Sequence, residues 1–234
     1  MIELLWCDGT WSKRGARSEA SEALRRSLNH SVKFTYVDYP ATFGPATGLG
    51  DVSAAESIAQ GVLNMTHATW ASDLEVVVGG YSQGTMVAYE FARRVLPVRR
   101  DLIVRAVAAL GNPHEPLHRG GRGGIAEHLS LPRPLISVWA PGDPIADVHR
   151  DAPLRSAWDV AEWMSVRDVA SALRWLDDVT GKVTDGPQDW WRRPDFIASI
   201  IAAKDYVWGT QHSADYARHG HATRLARRIE KVAA

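Results

Sequence analysis

Residues 74–96 read LEVVVGGYSQGTMVAYEFARRVL, and this stretch decides the fold. It begins with an apolar, largely β-branched run from Leu74 to Val78, which is typical of a strand buried on both faces. From Thr85 to Leu96 the apolar residues recur at helical spacing. Between the two, Ser82 lies in a GxSxG motif, whose glycines allow the strand to turn sharply into the helix. This layout predicts a nucleophile elbow, which exposes the serine hydroxyl above a helix N-terminus.

The remainder of the chain alternates between strand-like and helical patterns. The strand-like runs are Ile2 to Cys7, Val32 to Val37, Leu74 to Val78, Ile103 to Leu110 and Leu135 to Ala140, and the helical patterns are Ser18 to Leu28, Ala54 to Trp70, Thr85 to Leu96 and Ala214 to Val232. This alternation predicts a parallel sheet covered by helices on both faces. The predicted fold class is therefore α/β, an α/β-hydrolase three-layer sandwich.

One stretch, about residues 151–203, breaks the alternation and shows helical patterns only, with Ser165 as an N-cap and Gly181 as a stop. Because 234 residues are long for one core and short for two, we predict a single domain, residues 1–234, with a helical insertion at 151–203. Seven of the ten tryptophans, Trp139 to Trp208, lie in or beside this insertion and the late loops. We expect most of them to pack in the core, and one of the tandem Trp190 and Trp191 to be exposed.

Composition limits the function classes. The formal net charge is zero, which gives no electrostatic reason to expect nucleic acid. Cys7 is the single cysteine, so no intramolecular disulfide forms. The sequence shows neither an apolar run of membrane-spanning length nor an N-terminal signal pattern, and we expect a monomer without stable membrane insertion. His114 and His118 have metal-ligand spacing, but Pro116 between them disrupts the helix that would align them, so no metal is expected there. No cofactor is expected either.

A nucleophilic serine requires a base, and the base requires a carboxylate that holds its tautomer. In this fold the expected order is serine, acid, histidine. Asp143, in the turn after the last strand-like run, is the predicted acid, and Asp147 is the alternative. For the base, His212 is favoured because it lies in a loop ahead of the last helix, whereas His219 and His221 also remain open.

Two backbone amides are expected to stabilise the oxyanion. The amide of Gln83, which directly follows the nucleophile, is one. The second donor is expected in the loop after the first strand, where CDGTW at residues 7–11 offers Thr10, with Gly9 allowing close approach.

Several of these motifs together resemble cutinase-like serine esterases, and more closely the lysin B enzymes of mycobacteriophages. They are GGYSQG at 79–84, DGT at 8–10, GNP at 111–113, PGDP at 141–144 and GTQH at 209–212. The resemblance implies a cutinase-like fold and catalytic roles for Ser82, Asp143 and His212, with Thr10 and Gln83 as the oxyanion pair. In cutinase-like enzymes HxxY often follows the base, whereas here Tyr216 comes one residue late, which keeps His219 open.

The same resemblance implies a substrate and a place of action. Lysin B enzymes cleave the ester that joins mycolic acids to arabinogalactan in mycobacterial-type envelopes. The expected partner is therefore a lipid ester of the cell envelope, reached after synthesis in the host cytoplasm and release. Two other function classes stay open: an acyl hydrolase, such as a thioesterase, acting on smaller esters with the same residues, and a catalytically silent binding module. The complete order of serine, acid and histidine argues against the last.

Overall fold

The computed structural model describes residues 1–12, 16–44, 47–48, 50–118, 120–152 and 212–233. Its centre is a five-stranded parallel sheet in the order β2-β1-β3-β4-β6. The strands of this sheet are β1 (Ile2–Cys7), β2 (Val32–Tyr36), β3 (Glu75–Tyr81), β4 (Val104–Leu110) and β6 (Leu135–Val138). All five predicted strands are present, and the predicted α/β-hydrolase fold class is confirmed.

Helices cover both faces of the sheet, as expected for a parallel sheet whose strands are apolar throughout. On one face lie α1 (Glu19–Ser27), α4 (Ala214–Arg218) and α5 (His221–Ala233), with Leu24, Leu225 and Ile229 buried in a common cluster. On the other face lie α2 (Ala54–Trp70) and α3 (Gln83–Glu90). The result is the three-layer arrangement that the sequence predicts.

Local chemistry accounts for the starts of α1 and α2. Ser53 caps α2 and forms a capping box with Glu56, so that each satisfies a backbone amide of the other. Ser18 caps α1 by accepting from the amide of Ser21 at 3.1 Å.

Three details differ from the sequence expectation. The helix after Ser82 begins at once and continues as a π-helical turn, Phe91–Val95. The predicted final helix is interrupted at Gly220, whose φ of 71° ends α4 before α5 starts. Two short strands, β5 (Arg122–Gly123) after the GNP segment and β7 (Val148–His149) after the acid loop, form an antiparallel pair. The sequence does not predict this pair.

The predicted insertion lies outside the described residues, apart from its first two positions, 151 and 152. The expectations for Ser165, Gly181, Trp190 and Trp191 therefore stay predictions. None of the helices within the described ranges is long and apolar enough to cross a membrane.

Candidate active site

The carboxyl ends of the parallel strands meet at one edge of the sheet, and the predicted site residues lie at this edge. Ser82 follows β3 directly, with φ 53° and ψ −122°, a conformation that L-residues rarely adopt. Its amide donates to the carbonyl of Leu110 at the end of β4, at 3.0 Å. Only 8 % of Ser82 is exposed. Strained backbone of this kind persists only where the surrounding structure holds it, and it is concentrated at functional sites.

The glycines of the GxSxG motif are required by backbone packing. A Cβ at Gly84 would overlap the carbonyls of Cys7 and Asp8 at the end of β1, and a Cβ at Gly80 would overlap the backbone of Gly84. Helix α3 can therefore pass close to β1 only because both residues lack side chains. This close approach places the N-terminus of α3 directly beneath Ser82.

Three predicted residues form a continuous hydrogen-bonded series. The Oγ of Ser82 lies 2.8 Å from His212 Nε2, and His212 Nδ1 lies 2.8 and 2.9 Å from the two carboxylate oxygens of Asp143. Since a carboxylate can only accept, the proton belongs on Nδ1, which leaves Nε2 free to accept from the Ser82 hydroxyl. Both Asp143 and His212 are buried. The structure therefore brings a hydroxyl, an imidazole and a carboxylate into one hydrogen-bonded series.

Two tyrosines that sequence reasoning did not place in the site contact this series. Tyr216 donates to Asp143 Oδ2, and its own oxygen accepts from the amide of Ala140 at 3.2 Å. Tyr81 donates to the backbone carbonyl of His212 and stacks on the imidazole, with ring centroids 5.3 Å apart. Burial raises the pKa of both phenols well above the usual range, and the charge of Asp143 adds to it, so both remain donors.

The alternative acid and bases lie elsewhere. Asp147 binds Arg122 Nε at 2.9 Å and accepts from the amide of Gly142 at 2.7 Å, so it supports the acid loop from outside. His219 is exposed and lies 3.7 Å from Asp215. His221 lies on α5 with its Nδ1 2.6 Å from Arg224, and burial lowers its pKa. The structure therefore joins Ser82 with His212 and not with either later histidine.

The loop after β1 lies against Ser82, as predicted for an oxyanion donor. A Cβ at Gly9 would lie 2.9 Å from the ring of Tyr81 and 3.3 Å from Ser82 Cβ. The carboxylate of Asp8 shapes this loop: it accepts from the amide of Gly9 at 2.8 Å and from both the amide and the hydroxyl of Ser18. Thr10, half-buried, follows at the turn.

Gln83, the other predicted donor, is the first residue of α3. Its side chain is turned to a neighbouring loop, with Nε2 donating to the carbonyl of Thr42 at 2.8 Å and Oε1 3.2 Å from the hydroxyl of Tyr39. The Tyr39 hydroxyl, which has a single proton, makes its shorter contact with the carbonyl of Asp8, at 2.7 Å. The side chain is thus turned to that loop, and the predicted oxyanion role concerns the backbone amide. The oxyanion roles of Thr10 and Gln83 stay predictions.

Neither Cys7 nor the histidine pair offers a rival chemistry. Burial raises the pKa of the Cys7 thiol, which removes it as a nucleophile at neutral pH. His114 Nδ1 lies 2.6 Å from the carbonyl of Glu127, whereas His118 Nε2 lies 3.1 Å from Asp147. The two histidines thus have different partners. In the described part of the chain no group of three or more His, Cys, Asp or Glu residues could hold a metal ion.

Sheet order, elbow and edge placement define an α/β-hydrolase, the class of enzymes in which a serine at this position attacks acyl groups. A more specific assignment comes from the sequence of the first two thirds of the chain. The family model for cutinases matches residues 9–154, and the chain belongs to the cutinase family. This membership supports a serine ester hydrolase. No curated protein matches the chain by sequence.

The chain is similar to several solved structures at low sequence identity. Lysin B from Mycobacteriophage D29 superposes with a TM-score of 0.65 at 16 % identity, covering 97 % of this chain and 99 % of the phage protein. The catalytic core domain of acetyl xylan esterase from Trichoderma reesei has a TM-score of 0.46 at 15 % identity, covering 78 % of this chain and 98 % of the fungal one. A cutinase-like protein from Cryptococcus sp. has a TM-score of 0.46 at 14 % identity, with coverages of 78 % and 94 %. At these identities the likeness concerns the fold.

Proposed function

We propose that the protein is a serine esterase with Ser82 as nucleophile, His212 as general base and Asp143 as the carboxylate that orients the base. The observation that carries the proposal is the 2.8 Å contact between Ser82 Oγ and His212 Nε2 at a strained elbow. An elbow serine without an aligned base is a weak nucleophile, and a base without a buried carboxylate lacks a fixed tautomer.

The reaction follows from the protons. His212 takes the proton of Ser82 as Oγ attacks the ester carbonyl, and the backbone amides of Thr10 and Gln83 stabilise the tetrahedral oxyanion, with the N-terminus of α3 adding to the field. The imidazolium, held by Asp143, then protonates the leaving alcohol. Water then attacks the acyl-enzyme while His212 takes a proton from it. His212 returns this proton to Ser82 Oγ, and the carboxylic acid is released.

Labelling tests the nucleophile. A serine-directed phosphonate is expected to modify Ser82 alone, and Ser82→Ala is expected to lose both the label and activity on an activated short-chain ester. Ser31→Ala is the matched control because Ser31 precedes β2 at the opposite edge of the sheet. Full activity of Ser82→Ala would remove the esterase proposal.

For the substrate, we propose the ester between mycolic acid and arabinogalactan in mycobacterial-type envelopes. Support comes from motifs spread over the chain and from the fold shared with lysin B along nearly its full length. A seryl acyl-enzyme suits such a bond because the same intermediate forms whatever the acyl length, whereas affinity for a long chain grows by about 0.8 kcal/mol for each buried methylene.

A lipid-release assay on cell walls tests whether the substrate is this ester or a smaller one. Purified mycolate-bearing walls are treated with wild type and with Ser82→Ala, and released lipid is measured beside hydrolysis of short-chain esters and thioesters. Lipid release by the wild type alone is expected. Turnover of short esters or thioesters without any lipid release would instead identify a carboxylesterase or thioesterase for smaller acyl groups.

The remaining proposals concern partners and place. We propose a monomer that needs no cofactor or metal and contacts a lipid ester in the envelope without stable membrane insertion. It would be made in the host cytoplasm and reach the envelope after release during phage lysis. Sedimentation and the distribution of activity between cytosol and wall fractions test these points.

A further inference from the structure

Tyr216 connects the segment that carries the base to the acid. It follows His212 by four residues, and its ring is fully buried on α4. Its hydroxyl donates to Asp143 Oδ2 and accepts from the amide of Ala140, which belongs to the segment between β6 and the acid loop. A closed ring therefore runs from His212 through the chain to Tyr216, across to Asp143, and back through the hydrogen bond to Nδ1.

The carboxylate of Asp143 accepts hydrogen bonds from few donors. Among the described residues, its hydrogen-bond donors are His212 Nδ1, the hydroxyl of Tyr216 and the amide of Ile145, the last at 2.7 Å from Oδ1. With Asp143 fully buried, each donor counts more than it would in water. Removing one donor leaves more negative charge to be shared by the other two.

Gly111 shows how closely this arrangement is packed. A Cβ there would lie 3.1 Å from the Tyr216 hydroxyl and 3.2 Å from His212 Cε1, and the residue has a φ of 60°. A side chain at this point would press on both the phenol and the imidazole. The GNP segment thus leaves room for the pair of contacts around the acid.

We propose that Tyr216 is a positioning residue that sets how strongly Asp143 holds the imidazole of His212. The proposal rests on the proposed function, in which His212 is the base. By donating to Oδ2, Tyr216 withdraws charge from the carboxylate and fixes the carboxyl plane toward Nδ1. Tyr81 makes a different contribution because its hydroxyl reaches the backbone carbonyl of His212 and not the carboxylate.

The test compares Tyr216→Phe with Tyr81→Phe in the full chain. Both changes delete one buried phenolic hydroxyl that donates a hydrogen bond, but only the first deletes a donor to Asp143. The main readout is the low-field proton resonance of His212 Nδ1–H, which reports the strength of the bond to Asp143 and requires no turnover. It is expected to move downfield in Tyr216→Phe and to stay in place in Tyr81→Phe.

Kinetics supply the second readout. Tyr216→Phe is expected to lower kcat about tenfold because the carboxyl plane of Asp143 is no longer fixed toward His212 Nδ1. KM should change by less than about twofold, since the lost contact acts on the base and not on the substrate. Placing 3-fluorotyrosine at position 216 makes a stronger donor and should move the resonance upfield, which decides the matter even if the phenylalanine variant fails to fold.

An unmoved resonance in Tyr216→Phe, or equal movement in both phenylalanine variants, would overturn the positioning role. The same holds if 3-fluorotyrosine moves the signal downfield. Failure of the esterase proposal gives a different result, in which Ser82→Ala keeps full activity while the resonance remains readable.

Discussion

His212 and Asp143 act as one unit in the proposed mechanism, since the imidazole is useful only in the tautomer that the carboxylate holds. Asp143→Ala and His212→Ala are each expected to lower kcat by roughly 10³-fold or more, and the double variant hardly further. His219→Ala is the control because that side chain is exposed and paired with Asp215, and it should keep wild-type activity. An inactive His219→Ala beside an active His212→Ala would reassign the base.

A second residue, His114, makes stability depend on pH. Burial lowers its pKa from 6.5 to about 4 in the folded protein. The unfolded chain therefore binds a proton that the folded chain does not, and the free energy of unfolding falls as pH drops from about 6.5 to about 4. The loss attributable to His114 should reach about 3 kcal/mol at the acid end.

Urea unfolding at several pH values measures this dependence. His114→Gln is expected to have a shallower decline than the wild type between pH 6.5 and 4, because glutamine does not titrate. Glu115 acts in the opposite direction: burial raises its pKa, so the folded state prefers the protonated form and loses stability as pH rises. Equal slopes for wild type and His114→Gln would show that His114 is not the titrating group.

At the scale of elements, α3 crosses β1 closely beneath the site. Gly84→Ala introduces a methyl group that would overlap the carbonyls of Cys7 and Asp8, so the helix must shift. We expect the free energy of unfolding to fall by about 3 kcal/mol, with activity lost through displacement of Ser82.

Gly220→Ala is the matched control for that substitution. Gly220 has a φ of 71°, but nothing lies within 4 Å of the added Cβ, so only backbone strain is introduced. About 1 kcal/mol is the expected cost, with activity retained. If the two variants are equally destabilised, steric overlap at the crossing is not what requires Gly84.

The same elements show what the sequence can predict. Helix α2 was predicted from Ala54 to Trp70 and has these bounds, because long amphipathic periodicity and a Ser cap both mark it. Strand β3 continues three residues past the predicted Val78, since glycines carry no apolar pattern. The two-residue strands β5 and β7 are too short for any periodicity to appear.

In the site, too, residues that belong to local motifs can be predicted, whereas contacts between residues far apart in the chain cannot. Motifs and chain order single out Ser82, Asp143 and His212, and the structure brings the three side chains into hydrogen-bond contact, whereas their catalytic roles stay a prediction. Tyr81 and Tyr216 were not predicted as partners because each hydroxyl meets a group that is 131 or 73 residues away in the chain. In the sequence, Tyr216 is marked only by its offset from the HxxY spacing.

At the scale of the whole molecule, we predict that the insertion is required for activity on long-chain substrates but not on short-chain ones. Its sequence, about residues 151–203, leaves the hydrolase pattern after Asp143 and returns before His212. We predict that the insertion covers the approach to Ser82 and binds the acyl chain. Binding energy of this kind is needed only by long-chain substrates.

Replacing residues 153–203 with a short flexible linker tests this role. Activity on a short-chain ester should remain largely intact, whereas lipid release from mycolate-bearing walls should fall at least about tenfold. Circular dichroism and the urea midpoint confirm that the shortened protein is folded. Equal losses on both substrates would mean that the insertion only stabilises the fold.

The docking of the C-terminal segment has a consequence for when activity can appear. Ser82 and His212 are 130 residues apart, and α5 holds the segment of His212 to the sheet by burying Leu225 and Ile229. A chain that has folded only its first strands has the elbow but not the contact with His212, the proposed base. Contacts this distant in the chain close late and at a high entropic cost. Hydrolysis would therefore report complete assembly, and recovered activity in refolding should trail the return of helical signal.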